Sequence, residues 1–407
     1  MAVTTTPASR RLPRHFWLLW VGTFVNRAAT FVAPFLMLFL TGERGLAATT
    51  AGVVLAVQGG GLALSNLIGG WLADRWGRRN TMLAGLSLTA VIVLILPEVR
   101  NLWLVVALVG ALGLVADLHR PALNALVADA VPEEDRTRAY SLLHWAINLG
   151  MSVAMVGGGV LSEIGFAWLF RFDAVATAAF AVLIWRLLPA GPEVAAAPSA
   201  DASSAVDWWR NGRLLAFVSI TAVVFGIYFQ NYVTLPLAVT ATGLTPRDFG
   251  VMLAVNGIAV AVLQPLLANH LGRLRPSGAL VGAYLLIGAG YGLVAIAGDL
   301  LSLAGTVLLW SLGEIVLVAV GSAFVVALAP AHARGRYLGV YGAAIASSAA
   351  VAPLAGTTIY AWNSTVLWVG CFVLTLIASV VQLMLRPAAP AAAPETVGPL
   401  VTVEEKA

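Results

Sequence analysis

Arg27, Asp117, Arg120 and Glu314 each lie deep inside long apolar stretches, where a charged side chain needs a reason to be present. A charge at the centre of a bilayer costs about 2.5 to 3.5 kcal/mol on insertion scales. Arginine stays protonated under ordinary conditions, so only Asp117, Glu314 and the nearby His119 could load and release a proton. The chemistry that these five residues suggest is proton coupling, because moving a guanidinium changes how strongly a neighbouring buried carboxylate prefers its charge. The rival reading is a neutral network in which two acids face two arginines and tie helices together. Thr23, Arg27, Thr30 and Pro34 share one helical face, as do Asp117, Arg120 and Asn124, while His119 points away from the second stripe.

Uncharged polar residues at similar depth either glue helices or touch cargo. Asn26, Thr30, Gln58, Asn124, Asn148, Tyr228, Gln230, Asn231, Asn256 and Trp310 are the candidates for a substrate cavity. His144 shares a stripe with Ser141, Asn148 and Ser152, Gln264 lies at comparable depth, and Trp145, Tyr232 and Tyr341 could supply aromatic walls.

The elements that position these residues are membrane helices. Of 407 residues 60% are hydrophobic and 10% charged, against roughly 25% charged in soluble domains. A crossing needs about 20 apolar residues. That ruler gives twelve spans, at 16–40, 50–72, 81–97, 102–130, 138–162, 167–188, 214–240, 249–270, 278–298, 301–329, 337–361 and 365–385. The first is too long for a signal-peptide core and has no evident cleavage site. Of the 23 Lys and Arg, 17 fall on the side of the termini and four (Arg44, Arg100, Arg171 and Arg247) on the other, which predicts a multi-pass plasma-membrane protein with both termini cytoplasmic. The single Cys371 says nothing of redox compartment. A net charge of +4, with the basic residues beside apolar spans, points to membrane orientation and away from nucleic acid.

The Pro, Ala and Ser composition of 189–213 reads as a cytoplasmic linker between two six-helix halves, 1–188 and 214–386, followed by a disordered tail at 387–407. Pro132, Arg136 and Arg138 recur as Pro330, Arg334 and Arg336, and the same offset of 198 places Glu314 one residue from the counterpart of Asp117. The two halves are thus expected to hold an acid at matching depth.

Gly70-Trp71-Leu72-Ala73-Asp74-Arg75-Trp76-Gly77-Arg78-Arg79, between the second and third spans, resembles the G-x-L-A-D-R-x-G-R-R/K loop of the major facilitator superfamily, twelve-helix type. It recurs, eroded, as Asn269-His270-Leu271-Gly272-Arg273, with Asn in place of Asp. The resemblance implies an all-α fold of two pseudo-symmetric halves, with a substrate site at their interface near the midplane. It also implies a gate built from Gly70, Asp74, Arg75, Gly77, Arg78, Arg79 and Asp129. In that gate Asp74 caps helix 11, and Arg78 pairs with Asp129 when the transporter faces outward; Glu133, Glu134 or Asp135 could replace Asp129. Gly150 and Gly157-Gly158-Gly159 in the fifth span are similar to the glycine-rich motif of the drug/proton antiporter branch, without its Pro, and Arg120 stands where many such antiporters carry an Arg.

The resulting expectation is an alternating-access secondary transporter acting as a monomer. It would exchange protons for small amphiphilic compounds, such as drugs or secondary metabolites, in efflux. Uptake of a nutrient or organic anion is the alternative, which two facing arginines favour. An enzyme would need a nucleophile or metal cluster, and the five histidines lack ligand spacing. No Gly-x-x-x-x-Gly-Lys loop is present for ATP, and no cofactor is implied.

Overall fold

The computed structural model describes residues 12–187, 208–271, 274–330 and 333–385. Among them every regular element is helical, and twelve segments are long and apolar enough to cross a membrane. They form two halves of six. Spans 1 to 6 comprise Arg14–Glu43, Ala48–Trp76, Arg78–Glu98, Leu102–Ala130, Arg136–Ile164 and Phe166–Leu187. Span 7 starts at Gly212 and ends at Ala241, and spans 8 to 12 are Pro246–Leu271, Pro276–Leu293, Leu300–Leu328, Arg334–Trp362 and Ser364–Met384. The expected linker falls largely on 188–207, and the expected tail on 387–407, both outside the described residues.

Local chemistry explains several boundaries. Gly77 has φ +83°, a conformation that side chains other than glycine rarely adopt, and it turns span 2 directly into span 3. Asn211 caps span 7 by accepting from the backbone N–H of Leu214 at 3.1 Å, and it donates to the Tyr337 hydroxyl of span 11 at 3.0 Å. Asp299 and Ser302 form a capping box at the start of span 10. Hydrogen bonds from Ser302 hold the Asp299 carboxyl below the usual carboxylate range.

Three spans expected to be continuous are broken. Span 1 stops at Ala28 and resumes at Val32, span 4 stops at Ala116 and resumes at His119, and span 7 is interrupted at Phe229 and Thr234. Unwound backbone at membrane depth is tolerated where it lines a cavity or is buried in protein. These breaks lie beside Arg27, beside Asp117 and beside Gln230, so the irregular backbone and the buried polar side chains share one layer.

Two sides of the bundle differ in closure. On the side opposite the ends of spans 1 and 12, called here the far side, the halves touch backbone to backbone. A side chain at Gly59 would collide with the carbonyl of Ala349, and one at Gly250 with the carbonyl of Met155, so span 2 meets span 11 and span 5 meets span 8 with nothing between them. Phe35 and Phe249 meet edge to face there, with ring centroids 5.7 Å apart, and Arg247 pairs with Glu163 at 3.5 Å. On the terminal side, the first half keeps its own apolar cluster around Phe16, Met82, Val127 and Ile184, in which the second half has no member. Exposed tryptophans mark both water interfaces, with Trp103 and Trp362 on the far side and Trp76, Trp185 and Trp209 on the terminal side.

Candidate transport pathway

The break in span 1 leaves Arg27 in the last turn of its first half-helix, where a cation is favoured by the helix dipole. The break in span 4 leaves Asp117 just before the second half-helix, where an anion is favoured. The two oxygens of Asp117 face different arginines. Oδ2 accepts from Nη1 of Arg120 at 3.1 Å, and Oδ1 lies 3.7 Å from Nη2 of Arg27. His119 is buried edge-on against Phe180, and its Nδ1 has no hydrogen-bond partner among the described residues.

A cavity of about 1270 Å³ lies between the halves. Its walls run from Thr23, Asn26, Arg27 and Arg120 near the middle to Tyr140, Gln264 and Ser322 toward the terminal side, which is therefore the open one. Beyond Arg27 and His119 lies a smaller recess of about 290 Å³ that reaches Gly59, Ala349 and Pro353 at the far-side contact. Asn26, Arg27 and His119 border both spaces, while Asp117 borders the recess. The charged cluster stands as a partition between the large cavity and the smaller recess.

Glu314 is not part of that cluster, contrary to the expectation of two acids facing two arginines. Its Oε1 accepts from the Tyr228 hydroxyl at 2.7 Å and its Oε2 from Nδ2 of Asn256 at 2.6 Å. Span 10 turns this acid toward spans 7 and 8 of its own half, beside a third space of about 80 Å³ shared with Asn148 and Ser152.

Of the cavity candidates, Asn124 and Asn148 line the large cavity, Thr30 and Gln58 the recess, and Tyr228 and Asn256 the small space, while Asn26 borders the first two. Three do not line any of these. Gln230 is spent on structure: its Nε2 donates to the carbonyls of Gly226 and Ala352, both at 3.1 Å, and its Oε1 accepts from Thr234 at 2.8 Å, sealing the break in span 7. Asn231 is buried, and Trp310 is fully enclosed, stacked on Tyr291 with centroids 5.7 Å apart. Tyr341 likewise packs in the core, on Phe217. Trp145 and His144 do line the large cavity, opposite Gln264.

Asp173 of span 6 escaped the sequence reading. It is buried, and its Oδ2 accepts from the Val32 backbone N–H at 3.2 Å, at the start of the second half of span 1. Thr177 donates to its Oδ1 at 3.3 Å, and Asn26 donates to Thr177 at 3.2 Å, so one chain of bonds joins both pieces of span 1 to span 6. An acid seven residues inside an apolar helix was the available signal, by the same insertion cost that singled out Asp117.

At the loop between spans 2 and 3, Arg78 pairs with Asp129, as the resemblance implied. The pair joins spans 3 and 4 within one half and coexists with a cavity open on the terminal side, so it does not require the opposite, outward-facing arrangement. Asp74 does not cap span 11. It is exposed, without a hydrogen bond or ion pair among the described residues, and the described start of span 11 has no side-chain cap. The physical reason is that span 2 grips span 11 at Gly52 and Gly59, in its far half, rather than at its terminal end. Arg75 stacks over Trp71 at 5.3 Å, Arg79 donates to the Trp185 carbonyl at 3.0 Å, and Gly70 has open space around it.

Similar proteins share this architecture. The family model described as Major Facilitator Superfamily matches residues 19–313 and 216–402. A Na(+), Li(+), K(+)/H(+) antiporter of Planococcus maritimus is 23% identical, over 77% of this chain and 82% of its own length. Multidrug resistance protein MdtH of Salmonella arizonae is 22% identical, over 88% of each. The crystal structure of a mutant of the peptide transporter POT in complex with sulfate superimposes with a TM-score of 0.77 at 18% identity, covering 92% of this chain and 94% of that one, a likeness of fold. With twelve spans in two halves, a cavity between them and a family model matched along most of its length, this chain belongs to the Major Facilitator Superfamily.

Proposed function

We propose that the chain is a proton-coupled exporter of small amphiphilic organic compounds, working as a monomer in the plasma membrane with its terminal side cytoplasmic. One observation carries this reading: Asp117, with each oxygen facing a different arginine, stands between the large cavity and the recess that reaches the far-side contact. Any motion that swaps which space is open shifts the half-helices carrying Arg27 and Arg120, and with them the balance between the charged and protonated acid. Asp117 is the proton carrier in this scheme and Glu314 the reserve, with His119 at the same partition. Arg78, Asp129 and Asp74 form the cytoplasmic gate. Exchange with protons is in keeping with the cation/proton antiporter among the relatives, and export with the multidrug resistance protein.

The test uses proteoliposomes with an imposed pH gradient. Asp117→Asn should retain exchange of cargo down its own gradient and lose accumulation driven by protons. Proton-driven transport unaltered in both Asp117→Asn and Glu314→Gln would overturn the coupling role. Accumulation on the side opposite to that predicted for export would replace export by uptake.

A further inference from the structure

Charge is segregated across the partition. The described lining of the large cavity includes Arg27, Arg120, His119 and His144 but no Asp or Glu. The acids of the first half stand behind these bases, with the Asp117 side chain 14% exposed against 46% for Arg120. Arg120 gives Nη1 to Asp117, which leaves the rest of its donor fork toward the cavity.

We infer that the cargo is an organic anion with an apolar tail, its carboxylate or similar head held at Arg120 and Arg27 and its tail in the recess beyond the partition. Guanidinium groups match the planar two-oxygen head of a carboxylate. A cationic cargo would meet two guanidinium groups with no facing acid, so the same wall selects against it. The recess is walled on one side by Leu55, Leu62, Leu86, Leu112 and Val233 and on the other by Asp117 and Asp173, so the tail lies along the apolar side. Each methylene added to the tail should tighten binding about fourfold until that apolar wall is covered. This deepens the export reading for the same cavity, but binding is measured without reference to direction or coupling.

The experiment titrates the purified full-length protein with 4-phenylbutanoate, 4-phenylbutanamide and 4-phenylbutylamine, following tryptophan fluorescence, to which Trp145 on the cavity wall contributes. The acid is expected to bind at least tenfold more tightly than the amide, and the amine most weakly. Arg120→Gln should bring the acid to the level of the amide, and a wild-type melting temperature in detergent would show that the variant is folded. Equal binding of acid and amide, tightest binding of the amine, no binding of any of the three at millimolar concentration, or an acid preference that survives Arg120→Gln would each overturn the anion site. Tight binding of the acid with no flux in proteoliposomes would leave the anion site standing and remove the transport reading. Flux of the amine without binding of the acid would do the reverse.

Discussion

The two halves of the bundle solve the same problem with different chemistry. In the first half, an acid and two arginines are compensated by one another and by the ends of broken helices. In the second, Glu314 at matching depth is held by a phenol and an amide, and span 10 runs through it without interruption. Charge held at helix ends changes its compensation whenever those ends move. Charge held by neutral hydrogen bonds on a continuous helix is less sensitive to such motion. On the proposed scheme this difference makes the first half the more responsive one, in keeping with Asp117 as carrier and Glu314 as reserve.

The most severe test of that contrast is Arg27→Ala. Removing one partner of a buried ion pair typically costs about 3 to 5 kcal/mol; Arg120 at 3.1 Å stays on Asp117, so the loss should fall at the lower end of that range, and adding Asp117→Asn should restore part of it, because the carboxylate charge that Arg27 compensated is then gone. Thermal unfolding of the single and double variants in detergent measures both, and wild-type stability in the single variant would dissolve the network. Glu314→Gln should cost less, about 1 to 3 kcal/mol, since the amide replacing the acid can accept well from only one of Tyr228 and Asn256. A loss as large as that of Arg27→Ala in the same assay would erase the distinction between the halves.

Smaller effects are expected at the gates. Asp129→Asn removes an exposed pair worth about 0 to 1 kcal/mol, so its melting temperature should barely move while the rate of cargo exchange falls. Asp74→Asn should leave stability nearly unchanged and slow exchange as well, because Asp74 has no partner among the described residues and is expected to act in the other state. Exchange at the wild-type rate in both variants would remove the loop from the cycle. Glu163→Gln, at the exposed far-side pair with Arg247, should change stability least of all. Its expected signature is greater access of a thiol reagent to a cysteine placed at Phe35, and unchanged access would show that the far side is held by backbone contact alone.

The twelve spans were legible because each burial requirement is written in apolar length, and the Arg78–Asp129 pair because the loop motif is short and strict. The helix breaks went unread although each carried a signal: Pro34, Pro121 and Pro236 lack the backbone N–H that a continuous helix would bond back to residues 30, 117 and 232, at the interruptions. The position of Glu314 was misjudged for a different reason. A repeat offset fixes depth along a helix but not the face, and the face decides whether the acid meets Arg27 or Tyr228. Gln230 and Trp310 were assigned to the cavity on polarity and depth, and only packing distinguishes a group that lines a space from one that fills it.

The far-side contact has a consequence for how fast the molecule can reverse. Where Gly59 meets Ala349 and Gly250 meets Met155, no rotamer is frozen when the halves come together and none is released when they part. Immobilising a long side chain can cost up to about 2 kcal/mol of conformational entropy, and a seal made from such side chains would pay that at every closure. The backbone contacts avoid that cost and leave it only to the few side chains that meet beside them, Phe35 with Phe249 and Arg247 with Glu163, so the far side can shut tightly and still open on modest changes in charge at the partition.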